Sequence, residues 1–362
     1  MDGRRLLAQR VLVDGWTLTR ACQESGVSFP TGRLWVQRAR ELGLGVMGEH
    51  SRRPHKSPSE TPGWAVAQLV EARERYPAWG PKKLVALLWP SGPAPMCERT
   101  AARILASRGQ SAKAAPKHEA LGRFEREKPN ELWQMDLKGI GHPRPAYEPF
   151  SVLDDATRFS LSVVPLEAQT LSLIWEALWA LFEQFGLPGQ ILSDNGPAFR
   201  VAAGRLPSKL DVRLMRLGVG SAHCRPYHPQ TQGKVERFHE TQEKELGRAL
   251  RQPTLQMAAD RLEHFRTQYN WIRPHESLGM KTPGSLYRPS NRPRPNRLPE
   301  HVLPEGCLAR KVDKSGIIGL KAVRYRLGVG LSGEYVQLEA QEQDFAVLYC
   351  GRRLGFLEAF KV

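Results

Sequence analysis

Three acidic residues stand where carboxylates are expected to do chemistry. Asp136 falls within LWQMDLKG, whose alternation predicts a strand, and a carboxylate there is costly unless paired or bound to a cation. Asp194 closes ILSDNG, a short apolar strand that would deliver its side chain at the C-terminal edge. Glu236 lies in HPQTQGKVERFH, where a polar turn passes into a helix. The separations are 58 and 42 positions. Three carboxylates on two strands and a helix can converge on two Mg²⁺ ions, a device that activates a nucleophilic oxygen and stabilises the leaving oxygen of a phosphodiester. For Glu236 the alternative is an ordinary solvated charge. Asp154 and Asp155, in SVLDDATRF, suit a hairpin turn or the support of a neighbouring Arg, with a contact to the metal site as the second option. His223, His228 and His239 raise zinc, but no Cys or His spacing supports a structural site.

The elements that must position these groups follow from periodicity. Segment 131–250 reads as three strands, helix, strand, helix, strand, helix, an α/β layer arrangement. Its apolar helix carries Trp175 and Trp179 four apart, as core residues. Upstream, 4–42 predicts three short helices with Thr17 as an N-cap, Ala21 at a close inter-helix position and Gly26 at the turn. That is helix-turn-helix spacing, with Arg33, Gln37, Arg38 and Arg40 on a helix long enough to lie in a DNA groove; a generic three-helix bundle is the alternative. Residues 64–110 predict a second, weaker helical DNA-binding module carrying Arg99, Arg103 and Arg108. The expected organisation is 1–45 helix-turn-helix domain, 46–63 linker, 64–110 second helical module, 111–130 basic linker and 131–250 catalytic core. It continues with 251–290 as a helical extension, 291–306 as a Pro/Arg-rich linker and 307–362 as a small all-β barrel.

Charge is distributed unevenly. The net charge is +16, with +10 in 1–130, −1 in 131–250 and +7 in 251–362. Basic flanks suit a polyanion, the alternative being a merely soluble basic protein. A neutral middle suggests acidic residues kept to hold cations. The five cysteines (Cys22, Cys97, Cys224, Cys307, Cys350) form no C-x-x-C, which argues against a disulfide framework. No apolar run reaches a membrane span, and MDGRRLLAQR lacks the features of a signal peptide, so a cytoplasmic protein is expected.

WQMD, SDNGPAF and HPQTQGKVERFH, followed by NWIRPHESLGMKTPGSLY, resemble in order the blocks of the DDE core of bacterial insertion-sequence transposases, of the IS3/IS481 kind, and of retroviral integrases. The resemblance covers about residues 1–290. It implies an RNase H-like core and Asp136, Asp194 and Glu236 as catalytic metal ligands for Mg²⁺ or Mn²⁺, two ions per site. It also implies cleavage and strand transfer at terminal inverted repeats and target DNA by a homodimer or larger assembly, in a bacterial cytoplasm near the nucleoid. His228, Gln232, Lys234, Arg237 and Lys244 are then expected at DNA, with His228 and Gln232 alternatively ordering the catalytic loop. Two departures stand out: the 41 residues between Asp194 and Glu236 exceed the usual spacing, and Glu243 occupies the position, seven after Glu236, where relatives often carry Lys or Arg.

Overall fold

A computed structural model describes residues 3–45, 60–111, 125–139, 147–194, 196, 206–223, 233–341 and 344–361. The chain divides into two compact units, Met1–Glu60 and Thr61–Val362.

The first unit is three helices: α1 (Gly3–Leu12), α2 (Leu18–Glu24) and α3 (Phe29–Leu42). Thr17 caps α2, its hydroxyl accepting from Arg20 N at 3.4 Å. Ala21 is fully buried and Gly26 takes φ +63°, as a tight inter-helix turn requires. A close approach not foreseen in the sequence is Gly32, where a Cβ would run into the Cys22 thiol. Leu7, Ala21, Cys22 and Val36 form the small core.

The second unit opens with α4 (Gly63–Arg75), α5 (Pro81–Leu88) and α6 (Glu98–Ser107), packed around Leu69, Trp79, Leu84 and Leu105. Arg73 fixes the break between α4 and α5 by donating to Pro77 O at 2.9 Å and Trp79 O at 2.7 Å. The sheet follows: β1 (Leu132–Leu137), β2 (Glu148–Asp154), β3 (Ser160–Leu166), β4 (Gln190–Ser193) and β5 (Gly220–His223). Its order is β3-β2-β1-β4-β5, with β1, β2 and β3 antiparallel and β4 and β5 parallel to β1. Strand alternation decides what each face carries. Trp133, Met135, Phe150 and Val152 meet α7 (Leu171–Phe185) and α8 (Lys209–Arg216). Leu153 and Val163 meet α9 (Gly233–Leu246) and α10 (Leu255–Trp271) through Val235, Phe238, Leu262 and Phe265. The β3 edge is closed by Asn270, whose side-chain amide accepts from Ser160 N at 2.8 Å and donates to Ser160 O at 2.9 Å, imitating a further strand.

Three expectations need correcting. Trp175 and Trp179 are half-buried, not core: guanidinium groups cover them, Arg213 at 5.1 Å and Arg294 at 4.5 Å from the ring centroids, because Arg shields an aromatic face without burying its own charge. The Pro/Arg-rich segment does not run free. Arg292 donates to Pro188 O at 2.9 Å and to Leu217 O and Gly218 O at 3.1 Å each, and Pro299 O accepts from Arg216. The C-terminal strands close no barrel among the described residues. β6 (Leu308–Lys311), β9 (Tyr335–Gln341), β10 (Asp344–Tyr349) and β11 (Arg352–Phe356) form one sheet, while β7 (Ile317–Leu320) and β8 (Val323–Arg326) form a separate pair, with one isolated bridge from Tyr325 to Lys361. Val212 and Met215 of α8 complete their shared core, so a helix seals the apolar interior that barrel closure would otherwise seal. At this junction a Cβ on Gly330 would meet the Pro207 carbonyl.

A buried carboxylate joins the α4–α6 module to the sheet domain. Glu245, at the C-terminal end of α9, accepts from Trp79 Nε1 at 2.9 Å, Arg273 Nε at 2.8 Å and Gln268 Nε2 at 3.2 Å. Beside it Lys83 pairs with Glu276 at 3.2 Å. Breaking a buried pair leaves an uncompensated charge, at about 3–5 kcal/mol. Glu245→Ala should therefore lower the unfolding free energy by about 3 kcal/mol or more in urea titrations. A loss below about 1 kcal/mol, the value of an exposed pair, would show that Glu245 does not hold this joint.

Candidate active site

Asp136 is placed by its strand. Trp133 and Met135 point into the α7 face, so Gln134 and Asp136 point to the face covered by α9. The β1–β4 register pairs Gln134 with Leu192, and continuing it by two residues sets Asp194 opposite Asp136 on that same face. Neighbouring strands lie about 4.8 Å apart, so the two carboxylates are crowded by topology. Burial first, and then Asp194 and Glu236, push the Asp136 carboxyl up to about 7. Leu137 N donates to its Oδ1 at 2.9 Å. Asp194 ends β4 in a turn, its Oδ1 accepting from Gly196 N at 2.9 Å.

Glu236 lies in the first turn of α9, exposed, with burial and then Glu240 raising its carboxyl. The helix face that runs through it is fixed further along by two contacts to the end of β1. His239 Nδ1 lies 3.5 Å from Asp136 Oδ2, while its Nε2 meets Ser151 Oγ at 3.1 Å. Burial lowers His239 to about 3, so it stands neutral beside Asp136. Glu243 pairs with Lys138 at 3.4 Å. The cation expected seven positions after Glu236 is thus replaced by an acid whose partner, Lys138, directly follows β1, two residues after Asp136. His239 was weighed in the sequence only as a zinc ligand, and Lys138 was overlooked. The signals were their spacings: three positions from Glu236 on a helix, two from Asp136 on a strand.

Among the described residues no group of three His, Cys, Asp or Glu side chains forms a ready metal cage. His223 belongs to a different chain of contacts, with Nδ1 3.0 Å from Ser193 Oγ and Nε2 3.1 Å from Asp211 Oδ1. Burial opposes ionisation of Asp211, but hydrogen bonds from His223, Ser221 and Ser208 outweigh it and lower its carboxyl. Ser193 is only 2% exposed, so this Ser-His-Asp set ties β4, β5 and α8 together and presents no nucleophile. Asp154 accepts from Thr157 N at 2.8 Å and Asn130 N at 2.7 Å, holding the turn. The Arg expected beside it, Arg158, pairs with Glu125 at 2.6 Å.

The expected DNA contacts separate by environment. On α3, Arg33, Gln37 and Arg40 are exposed along one stripe, whereas Arg38 packs over Trp35 at 4.9 Å. On α6, Arg99 and Arg103 are exposed with Ala102 and Ala106 between and beyond them, a face without bulk. Arg237 is exposed, Lys244 pairs with Glu240 at 3.4 Å, and Lys234 is bound to Asp155. His228 and Gln232 lie outside the described residues.

The sheet order, with helices on both faces, defines an RNase H-like α/β core. Family models described as integrase core domain match residues 126–229 and 217–283, and one described as the leucine-zipper of insertion element IS481 matches 1–75. Together they support an IS481-type transposase with a retroviral-integrase-like core. Over the zipper match the structure describes helices of at most 14 residues before α4. The Gag-Pol polyprotein of avian reticuloendotheliosis virus is 32% identical over 131 residues, 35% of this chain and 11% of the polyprotein. The Gag-Pro-Pol polyprotein of squirrel monkey retrovirus is 28% identical over 171 residues, 44% of this chain and 8% of that one. The chain thus spans about a tenth of the length of these relatives. Among solved structures, the HTLV-2 integrase catalytic core in complex with magnesium aligns at 20% identity and TM-score 0.35, over 44% of this chain and 97% of its own.

The raised Asp136 carboxyl has a testable sign. Between about 4, its unfolded value, and about 7 the folded chain holds a proton that the unfolded chain lacks. Stability of the metal-free protein from this group is therefore full below about 4 and lost as pH rises to about 7. Asp136→Asn should remove that slope and raise the unfolding free energy at pH 8 by roughly 3 kcal/mol, measured by urea unfolding in chelator at pH 5 and pH 8. An unchanged slope would place Asp136 in an ordinary carboxylate setting.

Proposed function

We propose that the chain is a DDE transposase that binds the terminal inverted repeats of its element, cleaves there and joins the ends to target DNA. What supports this reading is the β1–β4 register, which carried on by two residues brings Asp194 opposite Asp136, together with the raising of Asp136 to about 7 by burial first and then by Asp194 and Glu236. Three side chains offering carboxylate oxygens are the donor set that hard divalent cations favour. Asp136, Asp194 and Glu236 would hold Mg²⁺ or Mn²⁺, two ions per site. When bound, these polarise the phosphodiester and stabilise the leaving oxygen. His239 would orient the Asp136 carboxylate, and Lys138, held by Glu243, would place a cation near incoming phosphates. The chemistry is hydrolysis at the element end, then attack of the freed 3′-OH on target DNA, with no covalent enzyme intermediate. Joining two ends calls for at least two copies of the chain. The exposed stripes of α3 and α6 would read the ends, and the basic Arg310, Lys311, Lys314, Lys321, Arg324 and Arg326 would meet phosphates.

The deciding experiment incubates the protein with labelled element ends, target DNA and Mg²⁺. Joined products are expected; cutting without joining would indicate a nuclease of the same fold, and binding alone a regulator. Asp136→Asn should abolish joining while end affinity stays within about twofold, since the amide keeps the shape and removes the charge. Joining at the wild-type rate by this variant would end the proposal.

Recognition is tested separately. Arg33→Ala and Arg40→Ala should each weaken end binding by about 1–3 kcal/mol, the value of a base contact, in gel-shift titrations. Arg38→Ala, whose guanidinium lies on Trp35, should instead show its main effect on stability. Unchanged affinity in both Arg33 and Arg40 variants would move recognition to α6.

A further inference from the structure

The turn between β2 and β3 is buried, unlike most loops. Asp154 and Asp155 are 0% exposed. The Asp155 carboxylate gathers three separate segments. Lys234 Nζ lies 2.6 Å from its Oδ1, and Gln134 Nε2 donates to the same oxygen at 2.7 Å. Arg126 N donates to Oδ2 at 2.7 Å. Lys234 reaches the Asp155 carbonyl as well, at 3.1 Å, so the ammonium is gripped by both ends of one residue. Gln134 stands two residues before Asp136 on the same strand face, and Lys234 stands two residues before Glu236 in the first turn of α9. One carboxylate therefore ties the strand of the first acid to the helix of the third.

A Lys in the first turn opposes the helix dipole, so helix formation gives no reason to place it there. Nor does apolar packing complete the positioning of α9. Val235 and Phe238 hold the helix against the sheet, but apolar contact is non-directional and tolerates small sliding along the axis. A constellation that must hold to about 0.5 Å needs directional contacts in its supporting shell. The two-point grip on Lys234 is such a contact.

We propose that Lys234 is a positioning residue: its buried ion pair with Asp155, tied to β1 through Gln134, sets the axial place of the first turn of α9 and so the separation of Glu236 from Asp136 and Asp194. The inference rests on the reading of those three acids as the metal site. It gives Lys234 a role other than DNA contact.

The test uses the full chain, free of DNA, with Mn²⁺ alone as the probe in titration calorimetry. Lys234→Met removes a cation close to the site, and by electrostatics alone Mn²⁺ should bind more tightly. Loss of positioning has the opposite sign. The expected result is Mn²⁺ affinity weakened by about tenfold, the usual scale for a supporting-shell residue, with end-DNA affinity within about twofold and its salt slope unchanged. Lys234→Gln, a donor without charge, should give a smaller fall of the same sign and serves if the Met variant does not fold. The double variant Asp155→Asn, Lys234→Met should fall no further than Lys234→Met alone, since the two groups act as one contact. Unchanged or tighter Mn²⁺ binding in the Lys234 variants would overturn the proposal. So would a loss of DNA affinity with the salt slope reduced by about one and Mn²⁺ binding intact, the signature of a phosphate contact. Asp136→Asn is the control that separates the two levels. If it loses Mn²⁺ and Lys234→Met does not, only the positioning role fails. If it binds Mn²⁺ like the wild type, the metal site fails and the positioning role with it.

Discussion

The burial of a carboxylate beside two further acids is the constraint on which the rest of this core depends. The parallel β1–β4 register, continued by two residues, sets Asp194 beside Asp136, and α9 reaches Asp136 through His239. Asp136 does not stabilise the fold where it stands; burial first, and then the charges of Asp194 and Glu236, raise it to about 7. A fold tolerates that arrangement only if the surrounding contacts over-determine it. Here they do: Ser151 and His239 stand on one side, Lys138 and Glu243 on another, and Asp155 with Lys234 at the start of the helix.

The same logic extends along α9. Its start is held by Lys234 and Asp155, its middle by His239 against Asp136, and its end by Glu245 against Trp79 and Arg273. Between these polar points the helix is fastened by Val235, Phe238 and Leu246. The α4–α6 module therefore meets the sheet domain at the helix that carries Glu236. At the other side of the sheet, α8 shares its apolar face with the C-terminal strands, and Arg292 staples the Pro/Arg-rich segment to three carbonyl groups.

Sequence alone determined the order and type of the elements from β1 to α9, because strand alternation and helical period survive in a single chain: LWQMD alternates, and the α7 segment repeats its apolar residues at helical spacing. It also determined Thr17, Ala21 and Gly26 as the marks of the first helical unit, since caps and tight turns are local chemistry. The three acids were legible as candidates from their positions at a strand, a strand end and a helix start. Tertiary structure decided what local pattern cannot carry. Partners far apart in the chain, such as Trp79 with Glu245 or Lys234 with Asp155, leave no periodic trace. Trp175 and Trp179 read as core because an apolar helix has no way to show that Arg213 and Arg294 will cover them. The C-terminal strands read as a barrel because composition gives strands without their pairing, and it was α8, from another segment, that closed their core. In sequence Lys234 is a charge and nothing more; that it meets the Asp155 carboxylate was decided by the fold.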